Sequence, residues 1–303
     1  MRKNQLGHSN LYISEIGYGC MSLGDNQRDN EYILHEAIEK GVNFFDTADL
    51  YDFGLNEQSV GKALNTKRDE VILATKGGNE FGEGIDGWRW NPSKSHIKNA
   101  CKKSLQRLNT DYLDLYQLHG GTIDDSIDET IEAFEELVQE GLIRYYGLSS
   151  IRPNVIKTYL EKSNIVSVMM QYSLLDRRPE EWFDPIRDHN VSIIARGPVA
   201  KGLLTDRYES KLTEKGYLSY TQQELLEALP QLQDVANECG MPLNELALRY
   251  VLDQDIVATA IPGASHTKQL EANVEASRKQ PLREETLNKL ANLTKKDVYQ
   301  QHR

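Results

Sequence analysis

The chain has 303 residues, with 46 acidic against 35 basic side chains and a formal net charge of −11. Apolar residues make up 39% and charged residues 27%, the balance of a folded globular protein, which excludes disorder as the main theme. The acidic surplus argues against nucleic acid or an anionic membrane as the main partner, because both reward excess Lys and Arg.

A chain this long buries a large core without disulfides or metals. Cys20, Cys101 and Cys239 form no C-x-x-C, and the seven His show no H-E-x-x-H, so no metal site is expected. The opening MRKNQLGHSNLYIS lacks the apolar core of a signal peptide, and no apolar run approaches the ~20 residues that span a bilayer. The expectation is a cytoplasmic monomer whose partner is a small molecule.

In chain order, LGHSNLYIS reads as a hairpin. Eight candidate strands follow: 15–20, 42–48 (VNFFDTA), 71–76 (VILATK), 113–119 (LDLYQLH), 145–150 (YYGLSS), 166–172 (VSVMMQY), 191–197 (VSIIARG) and 258–263 (ATAIPG). Their near-continuous apolar character suits strands buried on both faces, as in a parallel sheet.

Helical patterns lie between them. Ile33, Leu34, Ala37 and Ile38 repeat at helical spacing and stop at Gly41; Ile97, Cys101, Leu105 and Leu108 do the same. Ile127, Ile131, Phe134, Leu137 and Val138 form one face of a helix, with Ser126 and Glu129 spaced for a capping box and Gly141 after its end. Cys101 lies on such an apolar face and reads as a buried structural thiol. Pro153 suits a helix start. The starts at Val191 and Ala258 are 67 residues apart, against 25 between Val166 and Val191. That gap holds a Tyr-rich loop and helical patterns at 221–239 and 243–252, and a last helix is expected over 284–298.

Strands alternating with helices, without a Pro-, Gly- or Ser-rich linker, predict a single (β/α)₈ barrel domain over residues 1–303. No G-x-G-x-x-G follows an early strand, which counts against an open doubly wound sheet.

Barrel enzymes carry their chemistry at the carboxyl ends of the strands. The second strand runs out into Asp46 and Tyr51, the third ends in Lys76 and the fourth in His119. Singly, these would read as a cap, a solvated cation and a satisfied polar residue. Jointly they suit proton donation to a carbonyl. A phenol with a pKa near ~10 is a poor acid at neutral pH, and a neighbouring ammonium makes it a better one. A carboxylate such as Asp46 keeps that ammonium charged in a dry pocket, and His119 can orient the carbonyl oxygen.

The segments GVNFFDTADLY (41–51), LATKGG (73–78) and LDLYQLHGG (113–121) resemble the aldo-keto reductase superfamily. GLSS (147–150), MMQYSLLDRR (169–178), GPVAKGLLT (197–205) and IPGASHTKQLEANVEA (261–276) extend the likeness through the chain in order. It is similar, more narrowly, to the NADPH-dependent reductases of bacilli. The resemblance implies a barrel that binds NADPH, with NADH as second choice, and reduces aldehydes and some ketones. It implies Tyr51 as general acid, Lys76 and Asp46 as its tuning pair, and His119 as carbonyl-orienting partner.

On the cofactor side the resemblance implies nicotinamide contacts from Ser149, Ser150 and Gln171. It implies a pyrophosphate loop of Gly197, Pro198, Val199, Lys201, Gly202 and Leu203, and an adenosine end formed by Gly263, Ser265, Gln269 and Asn273. Arg196 stands where relatives often place an aromatic that stacks on the nicotinamide, and its flat guanidinium can stack instead. The Arg or Lys common after the IPG turn is replaced by Ser265 and His266, leaving Lys268 as the nearest cation. Phe81, Trp88 and Trp90, in the Gly-rich stretch 79–91, are expected to wall the substrate pocket. Two rival functions remain at this level: a lyase using Lys76 as a Schiff-base nucleophile, and a nucleotide-sensing barrel with residual reductase activity.

Overall fold

Short, apolar, β-branched runs separated by amphipathic helices have few ways to bury both faces, and closing the sheet on itself is one of them. The computed structural model describes all 303 residues and shows this solution. The strands are β1 (Lys3–Gln5), β2 (Tyr12–Ser14), β3 (Tyr18–Gly19), β4 (Phe44–Asp46), β5 (Ile72–Gly77), β6 (Asn79–Glu80), β7 (Arg89–Trp90), β8 (Leu113–Leu118), β9 (Ile143–Ser149), β10 (Ser167–Gln171), β11 (Ser192–Arg196) and β12 (Val257–Ile261). Eight of them form one parallel sheet in the order β3-β4-β5-β8-β9-β10-β11-β12. Ile16 bridges Ala260 in parallel, Gly17 N donates to the Ala260 carbonyl at 2.9 Å, and Ala260 N donates to the Glu15 carbonyl at 2.9 Å. Those bonds join the last strand to the first and leave no free edge.

The first strand, expected over 15–20, is divided between two neighbours: Ile16 pairs with the last strand and Tyr18–Gly19 with β4. The hairpin β1–β2 carries Leu6, Leu11 and Ile13 against Phe44, Ala74, Leu115, Met169 and Ile194, so it plugs the bottom of the barrel interior. A second core of 67 buried residues fills the layer between barrel and helices. Cys101 is fully buried there, as a structural thiol would be.

Three local expectations are corrected. Ser126 does precede the helix Ile127–Gln139, but its side chain makes no cap bond. Its ψ of 69° departs from the extended values of the capping residues Ser93 (145°) and Thr221 (163°), which turns the hydroxyl away from the helix. The capping box belongs instead to Thr221 and Glu224, opening the helix Gln222–Glu238. The terminal helix stops at Leu293. There Thr294 is extended, and the Arg177 guanidinium takes the Ala291 carbonyl at 2.7 Å, ending the ladder on a cation. The stretch 79–91 is not a plain loop: β6 and β7 pair as a small antiparallel ribbon. No helix is long and apolar enough to cross a membrane.

Candidate active site

Side chains in a strand alternate between faces, so interior residues recur every second position. Phe44, Ala74, Leu115, Met169 and Ile194 form the apolar interior layer. Two residues further along the same strands stand Asp46, Lys76, Gln117, Gln171 and Arg196. The strand period itself therefore lifts a polar ring onto an apolar floor at the carboxyl end of the barrel.

Lys76 is the hub of that ring. Its Nζ donates to Asp46 Oδ2 at 2.7 Å, to the Thr47 carbonyl at 2.7 Å and to Tyr51 Oη at 3.2 Å. Lys76 and Asp46 are almost wholly buried. Burial acts against the Lys76 charge, but Asp46 and Tyr51 outweigh it and raise its pKa above the ordinary lysine value. All three ammonium hydrogens have acceptors, so no lone pair remains for a Schiff base, which disfavours the lyase reading. Gln117 Nε2 donates to Asp46 Oδ1 at 3.2 Å and fixes the carboxylate from its other side. The sequence reading missed Gln117, although it sits two residues before His119 on the same interior face.

His119 follows β8 and is tied down by its backbone N–H, which donates to the Gly77 carbonyl at 2.8 Å. Its ring meets Tyr51 edge-on, with centroids 6.0 Å apart, and its Nδ1 is buried without a partner. Burial, with the Lys76 and Arg196 charges in support, lowers its pKa to about 3. The imidazole is neutral at physiological pH. The structure thus brings together all four residues of the expected catalytic set.

On the facing strands Arg196 Nη1 donates to Gln171 Oε1 at 3.0 Å, while Gln171 Nε2 donates to Asp176 Oδ2 at 3.0 Å and Tyr217 Oη at 3.2 Å. Both amide hydrogens of Gln171 are used, and one lone pair of its oxygen stays free. Ser149 ends β9 beside Met169 of β10, half-buried at the mouth. Ser150 is buried, and its hydroxyl accepts the Arg152 N–H at 3.2 Å, so it also serves the local turn.

The segment 197–203 leaves β11 as a tight turn. Gly197 (φ 64°), Ala200 (47°), Lys201 (56°) and Gly202 (91°) all have left-handed backbone, with Pro198 and Val199 between them and buried Leu203 anchoring the end. The N–H groups of Ala200, Gly202 and Leu203 are used inside the turn, donating to the Gly197, Val199 and Ala200 carbonyls at 3.0, 2.8 and 3.1 Å, which leaves those of Val199 and Lys201 for an anion. In the segment expected to meet the adenosine, Gln269 Oε1 accepts from Ser265 N at 2.8 Å and Ser265 Oγ at 3.1 Å, and Asn273 Nδ2 donates to the Gly263 carbonyl at 3.3 Å. Gln269 and Asn273 lie one turn apart on the helix Thr267–Arg278. Lys268 is exposed at its start.

The expected aromatic wall separates into three cases. Trp90 Nε1 donates to Asp125 at 3.0 Å, and its ring covers Gly78 and Gly120, next to His119. A Cβ at Gly78, whose φ is +122°, would stand 2.7 Å from that ring, so glycine is required there. Phe81 packs edge-on against Phe53 with centroids 5.5 Å apart. Trp88 is 53% exposed: it stands before β7, outside the ribbon pairing that seats Trp90 opposite Asn79, and lies at the surface.

Comparison with known proteins gives this arrangement its context. Residues 15–295 match the aldo/keto reductase family. The chain belongs to that family. The "uncharacterized oxidoreductase YqkF" of Bacillus subtilis is 56% identical over the full length of both chains, and the aldo-keto reductase YhdN of the same organism is 31% identical over 90% of this chain and 87% of its own. Among solved structures, the aldo-keto reductase AKR11C1 of Bacillus halodurans matches in its holo form at 58% identity, with a TM-score of 0.95 and coverage of 100% and 99%. Its apo form matches with a TM-score of 0.87 at 55% identity. The fold is therefore the (β/α)₈ barrel of the aldo-keto reductases, and the protein is an oxidoreductase of that family.

Proposed function

We propose that this aldo-keto reductase reduces aldehydes, and some ketones, to alcohols with NADPH, using Tyr51 as the proton donor. The carrying observation is the saturated Lys76 ammonium, 3.2 Å from the Tyr51 hydroxyl and 2.7 Å from Asp46. A fixed positive charge beside a phenol stabilises the phenolate left when its proton goes to the carbonyl oxygen. Asp46, Gln117 and the Thr47 carbonyl hold that charge in place, so it need not reorganise during proton transfer. Neutral His119 can donate a hydrogen bond to the same oxygen but, with a pKa of about 3, is a poor candidate for the acid. Trp90, anchored by Asp125, walls the pocket beside His119 and keeps water out.

The residues present suit a nicotinamide dinucleotide. The left-handed turn 197–203, with Lys201 exposed on it, fits a pyrophosphate. Gln171 and Ser149 would hold the carboxamide, Arg196 would lie against the ring, and Gly263, Ser265, Gln269 and Asn273 would surround the adenosine. When bound, NADPH would supply the hydride. One relative, from Schizosaccharomyces pombe, carries NADP(+) in its name, and the Bacillus halodurans neighbour is a holo form. Fluorescence titration with NADPH and NADH, followed by an aldehyde screen at the nicotinamide absorbance, tests the proposal. Turnover below about one per minute on every aldehyde, despite tight NADPH binding, would favour a nucleotide sensor instead.

A further inference from the structure

Outside the barrel mouth, a cavity of about 580 Å³ opens between the ribbon β6–β7 with its connecting loop, the turn that carries Asp49 and Phe53, and the helix Lys94–Leu108. None of the four proposed catalytic residues lines it. Its volume lies within the range of small-molecule sites.

Two buried polar atoms of its lining residues have no partner anywhere in the protein: Asp49 Oδ1 and His96 Nε2. Asp49 is 1% exposed. Buried polar groups are paired in the great majority of cases, so two orphans lining one cavity point to a missing ligand. Burial first, and the nearby Glu57 charge second, push the Asp49 carboxyl up to about 8, while burial lowers the His96 pKa. Near neutral pH this polar surface is therefore largely uncharged, able to donate and to accept.

The other walls differ in character. Phe53 and Phe81 present their edge-to-face pair as an apolar side. Arg107 gives its Nε to Glu57 at 2.6 Å and its Nη2 to Ser104 at 3.1 Å, which leaves Nη1 unassigned. Lys103 is exposed at the rim; its neighbours Lys98 and Lys102 pair with Glu140, whereas no carboxylate pairs with Lys103. A ligand that satisfies every wall has a neutral polar tip, a flat apolar body and an anionic end.

We propose that this cavity is a second binding site, independent of the reductase centre, for a small aromatic hydroxy-carboxylate. Its hydroxyl meets Asp49 and His96, its ring lies against Phe53 and Phe81, and its carboxylate pairs with Lys103 and Arg107.

The probe is 4-hydroxybenzoate, titrated calorimetrically into the full chain. One saturable site is expected. Lys103→Ala, a surface change that leaves the fold intact, should weaken binding about tenfold, and benzoate, lacking the hydroxyl, should also bind about tenfold more weakly. Tyr51→Phe should leave the affinity unchanged. Absence of binding up to about 10 mM overturns the proposal. So does equal affinity for Lys103→Ala or for benzoate, or loss of binding in Tyr51→Phe, which would place the probe in the barrel mouth.

Discussion

Arg196 and Gln171 are register partners at the ends of β11 and β10, and the Arg196 guanidinium donates to the Gln171 carbonyl oxygen at 3.0 Å. The bond holds the guanidinium plane at the barrel mouth and turns the Gln171 amide so that its nitrogen faces Asp176 and Tyr217. If stacking on the nicotinamide is the main role of Arg196, Arg196→Tyr should retain more turnover than Arg196→Lys, which keeps the charge and loses the plane. NADPH should also bind more tightly than NADP⁺, whose ring is cationic. The reverse order of the two variants would assign Arg196 to charge pairing alone.

Tyr51→Phe should leave cofactor affinity nearly intact and cut carbonyl reduction by at least ~10²-fold, the scale of a positioned general acid. Parent-like turnover would remove Tyr51 from the mechanism. Lys76→Met should be as damaging to rate and should also cost about 3–5 kcal/mol of stability, because it strands the buried Asp46 carboxylate. Urea denaturation separates the two variants: only the second should move the midpoint strongly.

Asp49 and His119 should shape stability against pH in opposite directions. The folded-state pKa of Asp49, about 8, lies above its ordinary value of 3.8, so folding favours its protonated form. The contribution is complete below pH ~4 and is lost as pH rises towards ~8. Asp49→Asn should therefore be nearly neutral in stability at pH ~4 and increasingly stabilising up to pH ~8. A constant difference across that window, measured by urea midpoints, would contradict the buried, protonated carboxyl.

His119 is depressed to about 3 from an ordinary 6.5, so its contribution is complete above pH ~6.5 and is lost as pH falls towards ~3. His119→Gln should flatten that acid limb of stability. In the parent enzyme, the pH profile of kcat/KM should show no inflection near 6–7 from this imidazole. An inflection that disappears in His119→Gln would mean that the ring titrates in the working range.

For the adenosine end, NADPH should bind more tightly than NADH, with a gap that narrows as salt rises. Lys268 is exposed at the start of the helix Thr267–Arg278, and Lys268→Ala should shrink the gap if its ammonium meets the 2′-phosphate. Equal affinities for the two cofactors in the parent protein would contradict the proposed NADPH preference.

Period and position along the chain were enough to read eight strands, the helices between them and the placement of Asp46, Lys76 and His119 at strand ends, because alternation and helical spacing are local properties. Motif likeness added the family. Closure of the barrel through Ile16 and Ala260, Gln117 behind Asp46, and Tyr217 beside Gln171 all join residues far apart in sequence. Spacing carries no signal for such pairs. The same holds for Trp88 and Trp90: Trp90 is held by the ribbon pairing and by Asp125, thirty-five residues on, whereas Trp88 stands before the ribbon strand and is exposed. The cavity beneath Phe53 is the clearest case: helical spacing puts His96 and Lys103 on one face, but only the packing of that helix against the ribbon and the turn carrying Asp49 sets all three around one space.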